Sequence, residues 1–141
     1  MKKGLFGLSL IPFLFLWGIQ ASAVDKDERL WQDETIYHIS IDRFNNADNR
    51  NDHAVDVRDE NAYNGGDFQG VTDKLDYIKD MGFTAITLSP VYDNGKDGFD
   101  GHDVKDFYKT EEHFGSMKDL RKLVDEAHAR DMKIILEFVA D

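Results

Sequence analysis

VTDKLDYIKDMGFTAITLSP, residues 71–90, holds a helical stripe and a strand with almost nothing between them. Val71, Leu75, Ile78 and Met81 recur at helical spacing, and Gly82 stands where a helix ends by turning left-handed. Thr84 to Ser89 (TAITLS) is then short, β-rich and ended by Pro90, which predicts a strand. A helix returning this tightly into a strand is the closing half of a βαβ unit.

Working outward, the same unit recurs on both sides. Thr35 to Asp42 (TIYHISID) alternates, with β-branched Ile36, Ile39 and Ile41, and predicts a first strand. Ser116, with Asp119 three residues on, resembles an acidic capping box. Leu120, Leu123, Val124 and Ala127 follow as an apolar helical stripe, and Lys133 to Phe138 (KIILEF) predicts a third strand. The order β–loop–α–β–loop–α–β implies two right-handed crossovers and an α/β fold with a parallel sheet. The stretches Phe44 to Asp67 and Val91 to Lys105 are rich in Asn, Asp and Gly without periodicity and predict long loops. Both leave the C-terminal ends of strands, where α/β folds bind ligands.

The N-terminus reads as an export signal. Lys2 and Lys3 precede an apolar run from Leu5 to Ile19, and Ala21-Ser22-Ala23 is a small-x-small cleavage site. The run is shorter than the roughly 20 residues a spanning helix needs. Residues 1–23 are therefore expected to be a cleaved signal peptide, with an uncleaved membrane anchor as the alternative, residues 24–141 the folded part, and the protein secreted, with no membrane association after cleavage. The chain is 41% hydrophobic with a formal charge of −11 and no Cys. Disulfides are excluded, and without clustered Lys and Arg a nucleic-acid partner is not expected. A bound metal is one alternative staple.

Asn46, Asp48, Asn51 and Asp52 gather four oxygen-bearing side chains within the first loop, and Asp67 follows Gly65-Gly66. Calcium takes six to eight such oxygens, backbone carbonyls included. Read from the residues alone, the run fits either an ion-wrapping loop or surface Asx turns whose side chains bond their own backbone. The EF-hand spacing is absent. His53, His113 and His128 read as surface or packing residues.

Several motifs then resemble one family in order. Ile36-Tyr37-His38-Ile39-Ser40-Ile41-Asp42-Arg43-Phe44 and Tyr63-Asn64-Gly65-Gly66-Asp67-Phe68-Gln69-Gly70 resemble the opening signatures of the α-amylase family, glycoside hydrolase family 13. Lys74 to Ile86, Asp106-Phe107-Tyr108, Glu112-His113-Phe114-Gly115 and Leu123 to His128 follow in that family's order. The resemblance implies a (β/α)₈ TIM barrel, of which this chain holds the N-terminal portion, three strands and two helices. It also implies an α-glucan polysaccharide or oligosaccharide as substrate, and Ca²⁺ held by Asn46, Asp48, Asn51, Asp52, Gly65 and Asp67. Asp141 stands where the family places a ligand of a second calcium.

Departures accompany the match. Where the family carries His-Gly-Tyr for sugar contact, this chain reads Asp100-Gly101-His102, so Asp100 and His102 are either the aligned sugar contacts or residues of a solvated loop, and the aromatic platform is lost. Tyr92 supplies an aromatic face nearby or is a packed loop residue. Glu137 replaces the family's structural Asp. The family's nucleophile and general acid follow later strands, beyond residue 141, so no catalytic residue is assigned and hydrolysis by this chain alone is not expected. A related transglycosylase, a pullulan-type hydrolase, or a non-catalytic calcium- or carbohydrate-binding remnant are the alternatives.

Overall fold

The computed structural model describes residues 29–95 and 98–140, so the segment expected to be a signal peptide and Asp141 lie outside the described residues. Three parallel strands form the spine: β1 (Ile36–Ile39), β2 (Ala85–Leu88) and β5 (Lys133–Leu136), in the order β1-β2-β5. Ile36 pairs with Ala85 and Ala85 with Lys133, so the three run in step. Between β1 and β2 lie α1 (Ile41–Phe44), α2 (Phe68–Asp73) and α3 (Leu75–Asp80). Between β2 and β5 lie the antiparallel pair β3 (Tyr92–Asn94) and β4 (Val104–Thr110), then α4 (Met117–Ala129). Among the described residues no helix is long and apolar enough to cross a membrane.

The βαβαβ reading holds, with three local corrections. The first strand stops at Ile39 rather than running to Asp42, because the chain turns there. The Ile41 N–H donates to Ser89 Oγ at 3.1 Å, and Asp42 rotates into the interior as part of α1. The expected single helix from Val71 to Met81 is two short helices broken at Lys74 (φ −103°, ψ 2°). Gly82 ends the second one as expected: its φ is +94°, and its N–H donates to the Lys79 carbonyl at 2.8 Å. The stretch predicted as a loop at Val91 to Lys105 contains β3 and the start of β4. That hairpin is register-shifted and largely exposed, with Tyr108 at 94%, so no buried alternation marked it in sequence.

The capping box forms as read. Ser116 and Asp119 exchange hydrogen bonds at the start of α4, and Leu120, Leu123 and Ala127 are buried on one stripe. Those side chains pack with Phe68, Val71, Leu75 and Ile78 against Ile39, Ile86 and Leu88, with Tyr37 and Ile134 at the margin. Side chains alternate across a strand, so Ile36, His38, Thr87 and Ile135 share the opposite face. Ile36 is 47% exposed there, and His38 Nδ1 lies 3.2 Å from Glu137 Oε1. One face of the sheet is a packed core. The other is open.

Glu34 pins the N-terminal edge. Its Oε1 accepts from Arg29 Nε and Lys133 Nζ, both at 2.7 Å, and Lys133 also sits 4.6 Å over the Trp31 ring. Burial pushes this carboxyl up, but donors from Lys133, Thr84 and Arg29 outweigh it and hold the pKa down to about 2. A depressed carboxylate stabilises the fold above its unfolded value and loses that contribution as pH falls through the folded one. Glu34→Gln is expected to lower unfolding free energy at neutral pH by about 1.5–3 kcal/mol. The difference from wild type should vanish as pH falls from about 4.5 to about 2; urea titrations across that range measure it.

Candidate functional site

Two buried carboxylates shape the first loop. Asp42 accepts the backbone N–H groups of Asn64 (2.9 Å) and Gly65 (3.2 Å), and Arg43 Nε approaches its Oδ2 at 3.0 Å. Burial pushes the Asp42 carboxyl above its ordinary range, against the pull of these donors. Asp67, fully buried, accepts from Ala47 N (2.9 Å) and Asp48 N (2.8 Å) through Oδ2, and from Gly70 N (2.5 Å) through Oδ1. It therefore caps α2 and ties back residues 47 and 48 at once. Arg43 extends the lacing, donating to the Glu60 and Ala62 carbonyls at 2.9 Å and lying 4.1 Å over the Phe99 ring.

Part of the predicted cation set converges within this frame. Asn46 Nδ2 donates to both oxygens of Asp52 at 2.9 and 3.0 Å. A Cβ placed on Gly65 would lie 2.5 Å from Asn46 Nδ2 and 2.8 Å from Asp52 Oδ1, so these three residues meet. Asn51 Oδ1 is buried without a hydrogen-bond partner, an acceptor whose desolvation nothing in the loop offsets. Asp48 is spent on its neighbour, with Arg50 Nε and Nη2 at 2.7 and 2.6 Å, an exposed pair of small energetic weight. Among the described residues no three His, Cys, Asp or Glu side chains converge as a metal cluster. The donor set is instead one of amides, a glycine backbone and single carboxylates, which suits a hard, oxygen-seeking cation rather than a transition metal.

The sugar-side residues are placed differently. Asp100 and His102 pair with each other (Oδ2 to Nδ1, 3.1 Å) at the surface of the hairpin loop. Tyr92 does not join them; its ring packs edge-on against Phe107 (5.4 Å) and Phe138 (5.9 Å). His102 borders a cavity of about 240 Å³ with Asp103, Val104, Phe107 and Val139. Sequence reading passed over Glu111, a buried carboxylate paired with His113, and gave His113 no role beyond surface or packing. The only available signal was the i, i+2 spacing of an acid and a histidine, which is too common to single out.

Parallel strands in step, crossovers packed on one face and two long loops at the C-terminal strand ends define a segment of a β/α barrel. The sequence profile described as alpha amylase, catalytic domain, matches residues 38–141, and the chain belongs to that family, glycoside hydrolase family 13. It is 61% identical to a solved Anoxybacillus α-amylase, with a TM-score of 0.78 over 79% of this chain and 25% of that one. For the Geobacillus thermoleovorans α-amylase solved with acarbose, identity is 56% and the TM-score 0.74, over 79% of this chain and 24% of that one. Identity to the Saccharomycopsis fibuligera α-amylase is 42% over 117 residues, 79% of this chain and 24% of that protein. The chain thus spans about a quarter of the length of these relatives.

Gly66 lies hard against the start of α1: its N–H donates to the Asp42 carbonyl at 2.8 Å, and a Cβ there would collide with the carbonyl oxygens of Ile41 and Asp42. Because the obstacle is backbone, Gly66→Ala is expected to lower unfolding free energy by ~3 kcal/mol or more. A urea midpoint within error of wild type would contradict this close approach.

Proposed function

We propose that this chain forms the opening section of an α-glucan hydrolase of the α-amylase type, with a calcium-binding first loop. The observation that carries the reading is the placement of the oxygen-rich loop at the C-terminal end of β1, within a sheet whose relatives are α-amylases. Glycoside hydrolysis requires two carboxylates flanking the scissile bond, one acting as general acid. Asp42 and Asp67 do not serve as that pair, since each is buried and occupied by backbone N–H groups. The role of these residues is to hold the substrate-side loops on the barrel rim.

Asn46, Asn51, Asp52 and the Gly65 carbonyl are the residues that would hold calcium, with Asp48 joining them once released from Arg50 and Asp67 tying residues 47 and 48 into the loop. Their fit rests on the unpartnered Asn51 Oδ1 and on the close approach of Asn46, Asp52 and Gly65. A bound calcium supplies positive charge that cross-links segments otherwise joined by hydrogen bonds alone. On the sugar side, the exposed Asp100 and His102 offer hydrogen-bonding groups to hydroxyls.

Two measurements test the proposal. Chelator is expected to lower the thermal midpoint by about 5–15 °C relative to saturating calcium; coincident melting curves would remove the calcium assignment. The longest product of the gene is expected to release reducing sugar from soluble starch, while the 141-residue chain alone releases none. Turnover by the chain alone, or none by the gene product, would overturn the reading.

A further inference from the structure

One buried cluster of titratable groups takes no part in the loop's cation set. His113 follows β4, with its side chain 12% exposed, and Glu111 is 2% exposed. His113 Nδ1 meets Glu111 Oε1 at 2.5 Å, while Nε2 meets the His53 carbonyl oxygen at 2.8 Å. The ring lies flat on Tyr63, with centroids 3.7 Å apart and planes 6° apart. Glu111 Oε2 accepts the Asn94 N–H at 2.8 Å, so the carboxylate reaches β3.

The two partners of His113 are an ionised carboxylate and a backbone carbonyl, and neither has a proton to offer. A neutral imidazole carries one N–H and satisfies one of them; an imidazolium satisfies both. In the neutral ring, a nitrogen lone pair would face an oxygen lone pair at short range in a largely buried site.

We propose that His113 is a proton-dependent clamp, fastening the first loop at His53 to the β3–β4 hairpin through Glu111 only while both ring nitrogens carry protons. The surrounding field favours that state. From the first loop come the His53 ring (6.1 Å, edge-on) and the Tyr63 hydroxyl; Asp42 acts from α1 and Glu112 from the same turn. Asp59 and Lys105 border the adjoining cavity of about 490 Å³. Burial and the Glu111 charge push the Tyr63 hydroxyl up, so it stays neutral.

Burial pulls the His113 ring down, but its bonds to Glu111 and His53 outweigh that and raise it. Burial pushes Glu111 up, but His113 and the Asn94 N–H outweigh that and lower it. A raised histidine contributes stability below its unfolded value and loses it as pH rises through the folded value. A lowered carboxylate contributes above its unfolded value and loses it as pH falls through the folded one. The clamp therefore holds in a window closed at the acid end by Glu111 and at the alkaline end by His113.

Ring ¹H–¹⁵N spectra of the intact chain, followed with amide exchange at Asp56, test this. The Asp56 N–H donates to the Tyr63 carbonyl at 3.0 Å and reports closure of the loop. Below pH ~6.5 both His113 nitrogens are expected to be protonated, with one proton lost at higher pH. The Asp56 protection factor should fall about tenfold across that same titration. In His113→Gln the pH step should be absent, with protection uniformly low. A His113 that is already neutral below pH ~6.5, or an Asp56 step unchanged in His113→Gln, overturns the clamp. Should the variant not fold, the wild-type ring spectrum decides alone.

Discussion

A buried carboxylate just past the exit of the first strand organises the long-loop end of this molecule. Asp42 sits in α1, just past the end of β1, with its oxygens turned toward the far end of the loop that follows, where the N–H groups of Asn64 and Gly65 point back at it. The Gly66 N–H completes the closure on the Asp42 carbonyl. The entropy of closing a loop rises slowly with its length, so a long excursion is tolerable once its ends are tied. What that closure requires is a place where chain can lie against chain, and Gly66 provides it by having no side chain. Were the anchor absent, the donors of the first loop would have no common frame.

The economy of carboxylates follows. In an acidic chain carrying 28 Asp and Glu, the buried ones are almost all used on backbone N–H groups or basic side chains rather than on each other. Asp67 serves α2 and residues 47 and 48 together; Glu34 serves Arg29 and Lys133; Glu111 serves His113 and Asn94. Like charges are thereby kept apart while each ion retains partners, the condition on which burial of a charge depends. Within the first loop, Asn51 Oδ1 has no donor and Asp52 faces the side-chain amide of Asn46.

The sheet divides the molecule's energetics. Its helix-covered face holds nearly all of the buried apolar side chains, and its other face carries Ile36, His38, Thr87 and Ile135. In the barrel to which this family belongs, the inward face of each strand is filled by layers of side chains from the remaining strands. The described residues thus contain a helix-facing core, open at Leu136 on β5, and their own contribution to the barrel interior.

Within the chain, patterns confined to neighbours were legible. The stripe of Val71, Leu75 and Ile78, the stop at Gly82, the Ser116–Asp119 cap and the short β-rich runs determine parallel βαβ units, because spacing and capping act over one or two turns. The oxygen-rich composition of the first loop was legible for the same reason. Only the tertiary structure decided that the first strand ends at Ile39, that the segment after Pro90 pairs as a hairpin, and which carboxylates meet which donors. Asp42 finds Asn64 22 residues away, and His113 finds His53 60 residues away. Their partners are backbone N–H and carbonyl groups, which every residue possesses, so residue type carries no trace of the pairing; position in three dimensions creates it.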